Sequence, residues 1–276
     1  MSAARRLPIT QVDAFADRPF TGNPAAVMPL EEWLDDATLQ AIAAENNLAE
    51  TAFLVPDESD EADYELRWFT PTIEVALCGH ATLASGHVLL SAAQWRNEMR
   101  FRTRKAGTLQ VTRIVGEGDE DEGYRMKLPA YRAEAKPLPD IARAMGGDVV
   151  ETLWHEGGYA LIVYHGAEEV RALAPDLAAL SKGDILYIAT APGAGDPSGA
   201  DVVSRAFAPG AGIPEDPVTG SAHSVLTPYW TTRLGRDAFA AYQASARGGH
   251  IGCRLDGDMV ELTGSCVTTV VGDFLL

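Results

Sequence analysis

A pair of related loop–helix passages, one in each half of the chain, constrains the fold more than any other feature. Residues 79–84 (GHATLA) and 220–225 (GSAHSV) align without a gap, and each opens the most apolar helix-like segment of its half. A helix that is apolar on every side is normally buried. The sequence therefore predicts two domains of similar fold, each of which wraps strands around one central helix.

The remaining segments alternate between strand-like and helix-like patterns, which is typical of an α+β protein. Alternating or apolar runs predict strands at residues 8–15, 25–30, 50–55, 64–69, 101–114 (a hairpin turning at 106–107), 124–128, 160–164, 185–190 and 202–207. Helical periodicity predicts helices at residues 35–46, 81–90, 139–145, 175–180 and 222–230. Asp35 or Asp36 can cap the first of these helices, and Asn47 can end it.

An acidic, glycine-rich stretch at residues 116–123 (GEGDEDEG) is the best candidate for a linker. Such a sequence cannot bury enough apolar surface to pack by itself. It predicts a boundary between an N-terminal domain, residues 1–117, and a C-terminal domain, residues 118–263, with a last strand at 264–276 returning to the N-terminal domain. The alternative is a long solvated hairpin loop.

The charge of the chain limits its partners. There are 22 Lys and Arg against 39 Asp and Glu, which gives a formal charge of −17. Such a surface repels nucleic-acid phosphates and anionic lipid headgroups, so neither nucleic acid nor membrane is expected as a partner. No apolar run is long enough to span a bilayer, and the first residues lack the apolar core of a secretory signal.

The cysteines and histidines do not form a metal motif. Cys78, Cys253 and Cys266 are too few for a disulfide framework and have no zinc-site spacing, which indicates a reduced, cytoplasmic protein. The six histidines are not spaced for a metal either, and no GxxxxGK[ST], GxGxxG or HExxH motif occurs in a suitable position. The sequence therefore predicts neither a metal nor a cofactor.

Gly79 and Gly220 mark two helix starts at which a ligand can approach the backbone closely. The first N–H groups of a helix are unpaired and carry the positive end of its dipole. If the two domains face each other, both helix starts converge on one cleft, which would suit a substrate carboxylate. The alternative is that each glycine serves a tight strand-to-helix turn.

Three further side chains are candidates for acid–base chemistry. Glu50 begins an otherwise apolar strand, where partial desolvation suits a general acid or base, and an exposed strand edge is the alternative. His80 lies at a helix start, where the dipole favours a neutral imidazole, and helix capping is its alternative role. Asp216 would add a carboxylate to the same cleft, or it is a turn residue before Pro217.

Cys78 stands directly before the first central helix, where a thiol can have a lowered pKa and act as a base or nucleophile. A two-thiol racemase would need a second cysteine at the matching position, but Thr219 stands there. Cys253 and Cys266 lie further downstream in strand-like sequence. A two-cysteine mechanism is therefore disfavoured, and the alternative for Cys78 is a small buried residue.

At these motifs the chain resembles the phenazine-biosynthesis PhzF family, which has the diaminopimelate epimerase-like fold. The resembling stretches are residues 12–15 (VDAF), 22–25 (GNPA), 45–53 (ENNLAETAF), 67–71 (RWFTP), 74–84 (EVALCGHATLA) and 215–222 (EDPVTGSA), with 243–249 (QASARGG) and 267–270 (VTTV) in the tail. The order of these motifs matches over essentially the whole chain, and their combination is specific.

The resemblance implies two pseudo-symmetric domains, each a curved, mostly antiparallel sheet around a central helix, and a homodimer. It also implies that Glu50 shuttles a proton in a cofactor-independent isomerisation, with His80 and Asp216 as further catalytic residues. The implied substrate-binding residues are Asn23, Gly79, Gly220 and Ser221. The Cys-Gly-His at residues 78–80 is similar to the Cys-Gly-Asn of the epimerase branch, which keeps thiol chemistry open.

Three hypotheses follow. The first is an isomerase that moves a proton on a small cyclic or amino-acid-like carboxylate, with Glu50 as the single base. The second is an epimerase, racemase or dehydratase that uses Cys78. The third is a non-catalytic protein that binds a metabolite or a protein partner in the same cleft.

Overall fold

The computed structural model describes residues 5–114 and 123–276, which form two compact units. Unit 1 contains the described residues up to Lys127 together with Thr263–Leu276, and unit 2 contains Leu128–Leu262. Apart from Gly123, the predicted linker at residues 116–123 lies outside the described residues. No described helix has both the length and the apolar character needed to cross a bilayer.

Unit 1 is a mixed, mostly antiparallel sheet with two helices. Its elements are β1 (Arg6–Ala14), β2 (Asn23–Pro29), α1 (Asp36–Asn46), β3 (Glu50–Pro56), β4 (Tyr64–Phe69), β5 (Glu74–Val75), α2 (Gly79–Ala92), β6 (Glu98–Thr103), β7 (Thr108–Ile114), β8 (Gly123–Pro129) and β18 (Cys266–Leu275). The strand pairs β2–β3 and β4–β6 are parallel. The pairs β18–β1, β1–β2, β3–β4, β4–β5, β6–β7 and β7–β8 are antiparallel.

Unit 2 has a sheet of the same type. Its elements are β9 (Glu134–Ala135), α3 (Pro139–Met145), β10 (Val149–His155), β11 (Tyr159–Tyr164), α4 (Ala167–Ala172), α5 (Leu177–Leu180), β12 (Leu186–Pro192), β13 (Val202–Ala208), β14 (Ile213–Asp216), α6 (Gly220–Leu234), β15 (Ala238–Gln243), β16 (Gly249–Asp256) and β17 (Met259–Gly264). Here β11–β12 and β13–β15 are parallel. The pairs β9–β10, β10–β11, β12–β13, β13–β14 and β15–β16 are antiparallel.

The two units therefore repeat one order of pairings. From β1 to β7 and from β10 to β16, successive strand pairs are antiparallel, parallel, antiparallel, parallel and antiparallel. In each unit, the connection within the second parallel pair contains a short extra strand and a long helix. The predicted α+β class, with strands around one central helix in each half, is confirmed.

Helix α1 forms where the sequence predicts it. The Asp35 side chain accepts a hydrogen bond from the Thr38 N–H at 3.0 Å, and Asn47 ends the helix in the left-handed region at φ 49°. Leu39, Ile42 and Ala43 form its buried face. They pack with apolar residues of β2, β3 and β4, which fixes the helix against the sheet directly before Glu50.

Helix α2 is buried along most of its length, as the apolar pattern predicts. It begins at Gly79 rather than Ala81, and it contacts β1, β2, β3, β6 and β7. The approach to β7 is close, because a Cβ atom added at Gly86 would overlap the side chain of Val111. A glycine is therefore required where the helix crosses this strand.

Helix α6 is longer than predicted and contains a proline. It runs from Gly220 to Leu234, with Pro228 in its interior. Proline has no N–H to give to the carbonyl of Ser224, one turn earlier. The Tyr131 N–H donates to that carbonyl at 2.9 Å instead, so the buried acceptor stays paired.

Some elements were missed in the sequence. No prediction covered β10, α4 or the individual strands after α6, and α5 is shorter than its predicted helix. The residues of β10 do not alternate cleanly in burial, and α4 has only six residues. Segments this short and irregular carry little periodic signal.

Candidate active site

Strand β3 and helix α2 of unit 1 bring Glu50 and His80 together. Glu50 is the first residue of β3, and His80 is the second residue of α2. Glu50 is 7% exposed and His80 is 3% exposed. The alternative position for Glu50, on an exposed strand edge, is therefore wrong.

The carboxylate and the imidazole are in direct contact. Glu50 Oε2 lies 2.9 Å from His80 Nε2, and the interaction between the two side chains contributes to the raised pKa of His80. Apart from this contact, neither buried atom has a hydrogen-bond partner within the described part of the chain. A buried carboxylate and a buried imidazole that meet only each other at these atoms mark this place as a candidate site.

The opposite edge of the His80 ring faces Asn23 and Cys78. His80 Nδ1 lies 3.0 Å from the Asn23 amide nitrogen and 3.5 Å from Cys78 Sγ. With the amide in this orientation, Nδ1 accepts a hydrogen bond and the ring proton belongs on Nε2, beside Glu50. The sequence predicts Asn23, Glu50 and His80 as site residues, and the structure brings these three together.

The charge of His80 differs from the sequence expectation. Burial lowers the pKa of His80, but the contacts with Cys78 and the Glu50 carboxylate outweigh that effect, so the pKa is raised well above 6.5. The raised pKa favours the charged ring over the neutral imidazole that the helix dipole predicts. A carboxylate in contact with the ring dominates, because it lies closer than the partial charge of the helix end.

The pKa of the Cys78 thiol is shifted in the opposite direction from the one that thiol catalysis requires. Burial, with the nearby Glu50 carboxylate, raises the pKa of its thiol to about 11. The thiol is therefore protonated at neutral pH, since its position before α2 does not compensate for burial. Donor atoms of Glu50, Cys78 and His80 lie within 4.8 Å of one another, and this is the one group among the described residues with the composition for a metal.

In unit 2, a hydrogen-bonded network surrounds the start of α6. The Thr219 hydroxyl donates to Asp216 Oδ2 at 2.6 Å, and the Thr219 N–H donates to Gln243 Oε1 at 2.9 Å. The fully buried Gln243 side chain donates in turn to the Asp216 carbonyl at 2.7 Å. Asp216, predicted as catalytic, is thereby tied to the residue that precedes the helix.

Ser221, the residue after Gly220, has an aromatic partner. Its side chain faces Tyr159, the first residue of β11, and this interaction partly offsets the effect of burial on the pKa of Tyr159. Tyr159 packs against Tyr131 and His155, with ring centroids 5.3 Å and 5.8 Å away. Burial raises the pKa of Tyr159 to about 12, so it is a neutral phenol at physiological pH.

Neither central helix is capped by the residue before it. Cys78 and Thr219 occupy the N-cap positions of α2 and α6, and within the described residues neither side chain makes a capping hydrogen bond. His80 does not cap α2 either, because its ring contacts Asn23, Cys78 and Glu50. Gly79 and Gly220 are the first residues of these helices. The convergence of both helix starts on one cleft stays a prediction.

The strand register shows which residues of the two units correspond. Arg67 faces Phe53 across β3–β4, and Arg205 faces Ala189 across β12–β13. Each arginine begins an Arg-x-Phe sequence, so the two are equivalent, and counting back along the facing strands pairs Glu50 with Leu186. In the same alignment, Ser221 corresponds to His80 and Thr219 to Cys78. Unit 2 therefore has a leucine, a serine and a threonine where unit 1 has its carboxylate, imidazole and thiol.

Several residues of these networks were missed as candidates. The sequence predicts no role for Gln243, which lies in the family-like stretch 243–249, or for Tyr159. Each lies far in sequence from the helix start near which it lies. The repeated Arg-x-Phe at residues 67–69 and 205–207, with a glutamate five residues before each helix glycine, was a detectable signal. It extends the alignment of the two halves by about a dozen residues upstream.

A buried carboxylate–imidazole pair on a duplicated sheet-and-helix fold is a candidate site for acid–base chemistry. The profile of the phenazine biosynthesis-like proteins, PhzC–PhzF, matches residues 12–272, and the chain belongs to this family. An uncharacterized isomerase of Pseudomonas aeruginosa is 46% identical over 268 residues, which cover 96% of this chain and 98% of that protein. The chain is accordingly an enzyme of the isomerase class.

Solved structures agree with this assignment. A PhzF-family protein of Enterococcus faecalis superposes with a TM-score of 0.86 at 39% identity, covering 99% of this chain and 100% of that one. A hydroxyproline epimerase of Agrobacterium vitis superposes with a TM-score of 0.63 at 14% identity, covering 99% and 93%. At that identity the second likeness shows the fold alone.

Proposed function

We propose that this isomerase shifts a proton on a small carboxylate substrate without a cofactor, with Glu50 as the single base. The observation that carries the proposal is the buried pair of Glu50 and His80, 2.9 Å apart, whose facing atoms have no other hydrogen-bond partner among the described residues. Polar atoms left in this state are available to a substrate. In the resting enzyme the raised pKa of His80 favours the charged imidazolium.

The proposed reaction uses this pair in two steps. The Glu50 carboxylate removes a proton from an activated carbon of the substrate, and the resulting carboxylic acid, whose proton can exchange with solvent, protonates a second carbon. The positive charge of His80 lies beside the reacting carboxylate throughout both steps. The net proton balance of the enzyme over one turnover is zero.

Asn23 supports either charge state of His80. Its amide presents nitrogen, a donor, to the Nδ1 of a neutral ring, and after a half-turn about its last bond it presents oxygen, an acceptor, to a protonated ring. In this proposal Asn23 orients the imidazole as well as contacting the substrate. The uncapped starts of α2 and α6, at Gly79 and Gly220, are the candidate groups for the substrate carboxylate, with Ser221 and Asp216 beside Gly220.

The strand register favours a proton shift over inversion of a stereocentre. Inversion usually requires a base on each face of the reacting carbon. Leu186 corresponds to Glu50, and Thr219 corresponds to Cys78, so unit 2 does not repeat the base of unit 1. A single base that collects a proton and returns it to a neighbouring carbon fits this asymmetry.

Catalysis by Cys78 is the second candidate, since the thiol lies 3.5 Å from His80. Its pKa of about 11 argues against it, because the reactive thiolate is scarce at neutral pH. We therefore expect Cys78→Ala to retain near-normal turnover, with Cys253→Ala as the matched control for loss of a buried thiol. Loss of turnover in Cys78→Ala alone would favour the thiol mechanism.

Incubation of the protein with cyclic and amino-acid carboxylates in deuterated water tests the proposal without a known product. Mass spectrometry should find solvent deuterium in one of these carboxylates. The product formed from it should be an isomer, with the mass of the substrate apart from the deuterium that it has taken up. Ligands that bind and are recovered without deuterium would indicate a non-catalytic binding protein instead.

A further inference from the structure

We propose that Arg67 and Glu74 are positioning residues that hold His80 in register with Glu50. This inference rests on the proposed function only in that Glu50 and His80 form the reacting pair. Arg67 lies on β4, and Glu74 lies on the short strand β5 that leads into α2. Neither side chain contacts Glu50 or His80 in the hydrogen bonds and ion pairs described above, so each acts through the segment that it holds.

The contact between the two residues has the strongest geometry available to such a pair. Arg67 Nε and Nη2 donate to the two oxygens of Glu74, both at 2.8 Å. The arginine side chain is only 1% exposed, and its guanidinium lies 5.0 Å from the ring centre of Phe69. Two parallel hydrogen bonds fix direction as well as distance.

The same guanidinium also contacts α1, the helix that precedes the Glu50 strand. Arg67 Nη2 lies 2.9 Å from Oδ1 of Asp36, the first residue of α1. Three residues separate the end of α1 from Glu50, and three separate β5 from the start of α2. Arg67 therefore joins the two segments whose next elements present the carboxylate and the imidazole, and such short connections leave little slack.

Unit 2 repeats the device at the equivalent place. Arg205 Nε and Nη2 donate to the two oxygens of Glu215 at 2.7 Å and 2.9 Å, and the guanidinium lies 5.0 Å from the Phe207 ring centre. Arg205 Nη1 also donates to the Leu173 carbonyl at 2.7 Å, directly after α4. Again three residues separate the paired strand from the central helix. Because the Arg–Glu pair recurs before the central helix of both units, we infer that it fixes the position of the helix start.

Arg67→Lys is the informative variant, because lysine keeps the positive charge and loses the fork of two donors. The readout is the titration of His80 by NMR in protein with labelled histidine, which needs no substrate. The titratable groups facing the ring are Glu50 and Cys78. We expect the midpoint to fall by about one unit or more as the imidazole moves away from the carboxylate.

Two variants serve as controls. Asp196→Asn breaks an Arg171–Asp196 pair of the same bidentate type, with distances of 2.6 Å and 2.9 Å, and Arg205→Lys breaks the equivalent pair of unit 2. Both should leave the midpoint of His80 unchanged. Glu74→Gln should reproduce the effect of Arg67→Lys, and it replaces that variant if Arg67→Lys does not fold.

Kinetics provide the second readout once a substrate is identified. Arg67→Lys should lower kcat about 10- to 100-fold with little change in KM, since misplacement by a fraction of an ångström to one ångström has effects of this size. Unchanged titration of His80 in Arg67→Lys and Glu74→Gln would overturn the positioning role. Full activity in a Glu50 variant would instead overturn the proposed function and leave the titration result standing.

Discussion

At the scale of single residues, His80 shows how the neighbours of a buried ring set its pKa. One edge of its buried ring meets the Glu50 carboxylate, and the other meets the Asn23 amide and a protonated thiol. Burial alone would make this histidine neutral, and a charged partner reverses that preference. The contrast with His223 shows how much one neighbour matters.

His223 is fully buried, and no charged residue of the described ranges contacts it. Its Nδ1 lies 2.8 Å from the Thr219 carbonyl, which accepts the ring proton. Burial lowers the pKa of His223 to about 4, against 6.5 for an unperturbed ring. The folded state therefore keeps it neutral at a pH where the unfolded chain binds a proton.

The pH dependence of stability should reveal this difference. The unfolded state binds more protons between pH 6.5 and 4, so the contribution of His223 to stability falls as the pH drops through this window, by about 2 kcal/mol at pH 5. Urea unfolding at pH 7 and pH 5 should show a smaller loss in His223→Gln than in the wild type. The exposed His165, changed to Gln, is the control, and an unchanged pH dependence in His223→Gln would contradict the assignment.

At the scale of the elements, α2 crosses β7 at a very short distance. Gly86 faces Val111, whose side chain fills the space of a Cβ atom. Glycine inside a helix costs about 1 kcal/mol relative to alanine, so its presence here reflects packing rather than helix propensity.

Gly86→Ala should therefore destabilise the protein. Overpacking of this kind costs about 1–3 kcal/mol, which exceeds the gain in helix propensity. Val111→Ala makes room for the new methyl group, so the double variant should be more stable in urea than the sum of the two single changes predicts. Strict additivity would show that the two side chains do not compete for space.

The elements that could be predicted are those whose local signal agrees with their environment. Helix α1 has its cap, its apolar face and its terminator in sequence, and the predicted bounds match the structure. Glu50 could be recognised by family resemblance, but the contact that gives it meaning joins residues 30 positions apart. Gln243 is bonded to Thr219 across 24 positions, and no local pattern reports such a contact.

The repeated topology is the main feature at the scale of the whole molecule. Both units use the same order of strand pairings, and the repeated loop–helix passages predicted this duplication. The divergence was less visible in sequence, since only the register pairs Glu50 with Leu186. The predicted homodimer and the cytoplasmic location stay predictions.

Unit 1 depends on the last strand of the chain. Every residue of β1, from Arg6 to Ala14, pairs with a residue of β18. A chain that ends at Ser265 loses this whole ladder, so the amide protons of β1 should exchange with solvent much faster than in the full chain. Amides of β11, in unit 2, are the internal control, and unchanged protection of β1 would contradict this dependence.

Deuterium incorporation by the wild type and Glu50→Gln, measured side by side on the first carboxylate that exchanges, tests the central claim most directly. Glutamine keeps the shape of Glu50 and cannot accept the proton, so exchange and isomerisation should both fall about 100-fold or more. Glu45→Gln, which removes an exposed carboxylate in α1, should keep wild-type rates. Equal exchange in wild type and Glu50→Gln would contradict Glu50 as the base.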